Sequence, residues 1–414
     1  MKAFGIIAGG PVTSVFRRVI RTRGDVLFTG VLLLALGCLA NGLPKLYADV
    51  DVYRLGALTL LEGKSIYHDL PVSAIGGPLP YTYPPSSAVL FVPLALVPTW
   101  LGYPLLTAAS AFALVPLVTA YRAAAPELRT LLDRSWLVVA AAIALLLGHP
   151  VANTIYWGQI NVLLMTMVAL DVLLPRTPWP RGLLLGLAAA IKLTPAGFAL
   201  IFLLRKDRRA LLTSIASFAA ATVLAFVIAP SDSLFYWTDR VFNATSMRIG
   251  GPLANESVVA SLEKLGMTGV SLSLVAALLA VAVLAGTWFG TRAALAGGDL
   301  VMALGTTAAG VLLLSPISWS HHWVLALPTA AIVLLRGYQR HHAPLLLSGW
   351  LAVVILWLAP HYSLPAVEQW DVLDDIIGSS YQLLALALLT VMSVRWFRRG
   401  TPPTVTQRDF EAVA

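Results

Sequence analysis

Val26 to Leu43 reads VLFTGVLLLALGCLANGL, a run without a single charge, and five positions later Ala48-Asp49-Val50-Asp51-Val52-Tyr53-Arg54 brings two carboxylates to its end. The run has about the ~20 residues that a membrane helix needs. A charge is costly to hold against hydrocarbon, so an acidic pair at the mouth of a span marks a candidate functional site. A local account also exists. Asp49 has the right chemistry to N-cap a short helix from Val50 to Glu62, with Gly63 as its stop. This stretch alone leaves cap and catalyst both open.

The rest of the chain makes the span one of many. Of 414 residues, 58% are hydrophobic and only 12% charged, with a mean hydropathy of +0.81; a soluble domain carries ~25% charged residues. The composition predicts an all-α polytopic membrane protein. The net charge of +8 does not point to nucleic acid, because the basic residues fall in short clusters between apolar runs. Cys38 is the lone cysteine, which excludes a disulfide framework and a cysteine metal site. Residues 1–23 carry no compact signal peptide and read as a retained cytoplasmic segment.

Apolar stretches at 26–43, 101–121, 136–148, 160–174, 210–229, 269–291, 299–314, 322–336, 344–360 and 378–394 are the expected spans. Basic clusters at 17–23, Arg122/Arg129/Arg134, Arg176/Arg181, 205–209, Arg336/Arg340 and 395–399 belong in the cytoplasm by the positive-inside rule. Ten crossings satisfy this if 86–98 is a half-crossing segment and 182–204 a broken hairpin that enters and leaves on one side. Twelve full crossings are the alternative. One transmembrane domain then fills 1–400, its main outer loops at 44–85 and 230–268, with 401–414 a flexible cytoplasmic tail.

The polar motifs gather on the outer side. Tyr81-Thr82-Tyr83-Pro84-Pro85 is a rigid aromatic corner, since proline fixes its own φ and extends the residue before it; interfacial anchoring is its plainer role. Tyr156-Trp157-Gly158-Gln159-Ile160-Asn161 sets an indole and two amides at a helix entrance, suited to stacking on and hydrogen-bonding a sugar. Lys192 interrupts an apolar run beside Pro195, and its ammonium must meet an anion such as a lipid phosphate or pair with a carboxylate such as Asp171. Ser315-Pro316-Ile317-Ser318-Trp319-Ser320-His321-His322 lacks the further ligands of a zinc site. At an outer helix start its imidazoles suit a phosphate, and only one of two adjacent side chains can face it.

Taken in order, Asp49 to Tyr53, Tyr83-Pro84-Pro85, Trp157 to Asn161, Lys192-Leu193-Thr194-Pro195 and Ser315 to His322 resemble the polyprenol-phosphate-mannose-dependent α-1,2-mannosyltransferases of actinobacteria, in particular the branch that extends phosphatidylinositol mannosides. The resemblance runs from Asp49 to about His322 and is thin over 231–268. It implies a GT-C glycosyltransferase fold of ten to twelve transmembrane helices in the plasma membrane, acting on the periplasmic side. It also implies a catalytic base just after the first span, which here is Asp49.

Transfer from a β-linked phosphoryl donor to an α-linked product inverts the anomeric carbon, so one base must approach from the face opposite the phosphate. The leaving phosphate needs positive charge, for which Lys192, His322 and Arg248 are the candidates. His322 is the expected catalytic partner of Asp49. Asp51, Tyr81, Tyr83, Trp157, Gln159, Asn161, Lys192, Arg248, Trp319 and His321 are the expected substrate contacts. No metal or cofactor is expected beyond the lipid-linked donor, and the expected partners are that donor, a glycolipid acceptor and membrane lipids. An arabinofuranosyltransferase using polyprenyl-phosphoryl-arabinose is the nearest rival. A lipid or sugar transporter is the more distant one, for which repeat symmetry would be expected.

Overall fold

The computed structural model describes residues 23–77, 79–243, 255–365 and 370–398; Arg248, most of the first 23 residues and the tail from 401 lie outside them. The described chain is helical. Its principal helices are α1 (Arg23–Gly42), α2 (Ala48–Leu61), α3 (Thr99–Ala124), α4 (Ser135–Leu147), α5 (His149–Trp157), α6 (Asn161–Leu173), α7 (Leu183–Ile191), α8 (Arg208–Ile228), α9 (Gly269–Ala296), α10 (Leu300–Leu314), α11 (Ala326–Gln339), α12 (Ala343–Leu358) and α13 (Ser380–Arg398). Every stretch expected to span contains one of them. Among the described residues the only β pairing is an isolated antiparallel bridge between Asn255 and Trp319.

Five helices, α1, α3, α8, α9 and α13, are long and apolar enough to cross a bilayer, and α4 with α5 adds a sixth, bent by 71°. The expected ten full crossings therefore do not follow from helix length. At ~1.5 Å per residue, the 13-residue α6 and 15-residue α10 fall short of a ~30 Å hydrocarbon core. They are instead sheathed by protein: nearly every residue of α10 is buried, while α8 and α9 expose Leu212, Val223, Val270 and Leu278 on their outer surfaces. Apolar side chains standing exposed along such helices are the surface that lipid covers. The segment 149–159 is largely helical. It forms α5, whose Pro150 sits in the first turn, where its missing N–H costs nothing.

The stretch 182–204 breaks as its composition demands. α7 stops at Lys192, which is extended, and the chain continues as a 3₁₀ turn (Thr194–Phe198) and a short helix (Ala199–Leu204). Both ends of this hairpin come together. Gly182 abuts the Ala210 carbonyl, Ser217 Oγ donates to Leu183 O at 3.2 Å, and Arg181 lies within electrostatic reach of Asp207 and Arg205. A hairpin that returns to the end it left puts its tip, Lys192, at the opposite end. Far from that tip, Arg336 clamps α11 to Glu127 (2.9 Å) and to Asp299, the cap of α10.

Candidate functional site

Asp49 is the second residue of α2, not its cap. The residue before the helix, Tyr47, is left-handed and makes no side-chain cap bond, so the capping reading of Asp49 falls. What its carboxylate meets comes from the helical period. Asp49 and Tyr53 stand four apart on one face, and both reach Gln159, which follows the left-handed Gly158 at the end of α5. Gly158 has φ +70°, and a Cβ there would lie 2.7 Å from Val50 Cγ1. Glycine is what lets α5 press against α2 and turn Gln159 inward.

Gln159 Oε1 accepts from the hydroxyls of Tyr53 and Tyr83, each at 2.9 Å. Its amide nitrogen is then the end left to donate to Asp49. Burial raises the Asp49 carboxyl from its ordinary 3.8 to about 6, against the opposing pull of the Lys192 charge and the Gln159 hydrogen bond. Near neutrality it remains mostly ionised, yet basic enough to take a proton.

Lys192 occupies the hairpin tip. Its ammonium donates to Asn161 Oδ1 at 2.9 Å, lies 3.0 Å from His322 Nε2 and stands 5.0 Å from the centre of the Tyr83 ring. Lysine carries only donors, so His322 Nε2 must accept. Two of the three N–H bonds are thus directed by the protein, and one is left for an anion. Lys192 and His322 also line a narrow cleft whose other walls include Met165, Pro195, Phe198, Val311 and Leu325.

This geometry sorts the expected residues. Asp49, Tyr83, Gln159, Asn161, Lys192 and His322 form one connected cluster. Asp171 does not pair with Lys192: it accepts from Trp179 Nε1, Gly182 N and Leu185 N at the far end, where it caps α7. Asp51, two residues from Asp49 and so turned away, accepts from Ala74 N at 2.7 Å and from the Tyr103 hydroxyl. One of its oxygens thus holds the loop at Ala74 and the other ties α2 to α3. Tyr81 is buried behind the site with its hydroxyl 2.6 Å from Ser87 Oγ.

His322 is not at a helix start as expected. It closes a 3₁₀ turn (Ser320–His322) before α11, so helix-terminal N–H groups do not supplement it. His321 is buried, and its carbonyl accepts from Thr154 Oγ1 at 3.0 Å and Asn161 Nδ2 at 3.2 Å. Those bonds pin the strap and turn His322, not His321, toward Lys192. Trp157 and Trp319 are half-buried beside this cluster; Trp157 packs edge-on against Tyr156, and Trp319 pairs through its backbone with Asn255. Arg248 lies outside the described residues.

Tyr53 was not among the expected contacts, although its i,i+4 spacing from Asp49 signals it. Asn255 carries no such signal. It is fully buried, accepts from Ser318 N at 2.9 Å and donates to Pro316 O at 3.3 Å, which ties the segment at 255–257 to the histidine strap.

Comparison with known proteins adds identity to this geometry. The model of glycosyltransferase family 87 matches residues 81–316. Polyprenol-phosphate-mannose-dependent alpha-(1-2)-phosphatidylinositol mannoside mannosyltransferases of Mycobacterium tuberculosis (H37Rv) and Mycolicibacterium smegmatis are 38% and 36% identical to the chain, over 86% and 84% of it and 86% and 83% of their own lengths. The corresponding phosphatidylinositol pentamannoside mannosyltransferase of M. tuberculosis is 31% identical over 78% of the chain and 75% of its own length. No solved structure matches.

Proposed function

The chain belongs to glycosyltransferase family 87, and from that premise we propose that it transfers mannose from polyprenyl-phosphate-mannose to a phosphatidylinositol mannoside, forming an α-1,2 linkage with inversion at the outer face of the plasma membrane. The observation that carries this reading is the pairing of Asp49 with Lys192 across Gln159 and Tyr83, at the polar end of an apolar cleft. An acid–base group and a phosphate-seeking cation are what such a transfer requires.

In this reading the donor phosphate meets the free N–H of Lys192, and its prenyl chain leaves along Met165, Phe198, Val311 and Leu325. The acceptor oxygen attacks the anomeric carbon as the bond to phosphate oxygen breaks, and its proton passes to the Asp49 carboxylate. Asp49 works from the face opposite the phosphate, as inversion demands. The departing polyprenyl phosphate gains negative charge, which the Lys192 ammonium is preorganised to stabilise, and Asn161 and His322 hold that ammonium in place. No resident metal or cofactor is required. Charge supports this orientation: Arg181 and Arg205 lie together with Asp207 at the base of the hairpin, opposite its Lys192 tip, and the positive-inside rule favours the cytoplasm for such a cluster.

Purified protein given polyprenyl-phosphate-mannose and a panel of mannosylated lipids should yield a product heavier by one hexose, in α-1,2 linkage by linkage analysis. Transfer from polyprenyl-phosphoryl-arabinose but not from the mannose donor would refute the assignment.

A further inference from the structure

Both substrates of this proposed reaction are anionic lipids, each carrying a phosphodiester. Lys192, with one N–H free, can serve only one of them. A second cation stands on the same wall of tyrosines. The Tyr67 hydroxyl donates to Tyr83 O at 2.7 Å, and Arg240 holds its guanidinium 5.5 Å from the centre of the Tyr67 ring. Tyr83 carries Lys192 and Tyr67 carries Arg240, side by side.

Arg240 closes a π-type turn (Tyr236–Arg240) after a short helix (Pro230–Phe235) that follows α8. Its nearest acidic neighbours in sequence are already engaged. Asp232 accepts from Ser65 Oγ at 2.6 Å and Ile66 N at 2.9 Å, and Asp239 accepts from Asn243 at 2.9 Å. Among the described residues Arg240 forms no ion pair. Its guanidinium donates to Tyr81 O at 3.4 Å, while Nε is buried without a partner. Most of its five N–H donors remain for a ligand.

Its depth is also telling. Val227 and Ile228 at the end of α8, then Leu234 and Phe242 on either side of the turn, are exposed apolar side chains, as expected of a segment lying where hydrocarbon gives way to headgroups. A cation flanked in this way sits at the level of lipid phosphates.

We propose that Arg240 binds the phosphodiester of the glycolipid acceptor, so that Lys192 reads the donor's phosphate and Arg240 the acceptor's. This rests on the mannosyl-transfer reading above. A guanidinium suits a phosphodiester because its planar fork meets two oxygens at once. The sugars attached to that phosphate then extend along the tyrosine wall toward Asp49.

The test compares two acceptors in phospholipid-free detergent: a phosphatidylinositol mannoside, and an alkyl glycoside bearing the same mannose unit without phosphate. Arg240→Gln should raise KM for the phosphate-bearing acceptor about ten- to a hundredfold, the worth of a charge-assisted hydrogen bond, and leave kcat and the KM values of the neutral acceptor and the donor within about twofold. Arg240→Lys should recover part of the loss. Equal losses on both acceptors, no loss on either, or a raised donor KM would each overturn the inference. So would an effect seen only when bulk anionic phospholipid is added, which would assign Arg240 to the surrounding bilayer. Failure of the wild-type protein to glycosylate either acceptor would overturn the transfer reading itself, a result distinct from any of these.

Discussion

Replacing Asp49 by asparagine should make the protein more stable and nearly inactive at once. The carboxyl is raised by burial from 3.8 to about 6, with Lys192 and Gln159 pulling the other way. A carboxylic acid whose folded value is raised binds its proton more tightly in the folded state than in the unfolded one. Its contribution to stability is therefore most favourable below about pH 4, declines as pH rises from about 4 to 6, and stays at its low level above that. At pH 7 the ionised side chain costs about 3 kcal/mol by the size of the shift, and about 1–3 kcal/mol once water reaching the half-buried carboxylate is allowed for. Asparagine keeps the shape and removes the charge. In detergent at pH 7 Asp49→Asn should melt above the wild type, and the two curves should converge toward pH 4. Turnover of the same variant should fall by ~10²–10⁴-fold, because an amide cannot accept the acceptor's proton. The wild-type kcat/KM should show an acid limb near pH 6, rising with pH as Asp49 ionises. A variant melting at or below the wild type at pH 7 would refute the electrostatic argument, and near-normal turnover would refute the role of Asp49 as base.

At the opposite pole of the site, Lys192→Met should lower turnover by at least about a hundredfold. His322→Ala should lower kcat more than it raises donor KM, since the imidazole acts on phosphate through Lys192; unchanged turnover at saturating donor would remove it from the mechanism. Gly186→Ala drives a Cβ into Ser217 Oγ and Ser214 O, where α7 packs on α8, and should cost about 1–3 kcal/mol of stability; an unchanged melt would show that the hairpin is not seated there. In a Cys38→Ser background, single cysteines at the exposed positions Arg176 and Arg209 should both react with an impermeant thiol reagent only from the cytoplasmic side. Labelling of position 176 from outside would replace the hairpin with a full crossing.

What was legible in the sequence was whatever a local period or a local cost controls. Apolar length announced the helices, and Lys192 beside Pro195 announced a break, because an ammonium and a missing N–H are each expensive inside a buried helix. Crossing number was not legible. A helix as short as α6 is apolar whether lipid or protein surrounds it, and only the neighbours decide. The same limit separates Asp49 from Asp51. Both are aspartates in the first turn of α2, and a two-residue offset guarantees that they face apart without saying which faces the site. The answer depends on partners far along the chain: Gln159, 106 residues from Tyr53, and Tyr103, 52 from Asp51. It is the same for the histidines. Adjacency required that only one meet the phosphate site, and the choice fell to His322 because Thr154 and Asn161, 167 and 160 residues away, hold the carbonyl of His321. Besides the direct attraction of their charges, Asp49 and Lys192 are joined through Gln159, Tyr83 and Asn161. A substitution in that middle layer, Gln159→Leu for example, should therefore shift the acid limb of the pH profile, since it removes the hydrogen bond that opposes burial at Asp49. Its expected direction is upward, toward a more basic and less ionised carboxyl, and an unmoved limb would show that burial alone sets the base.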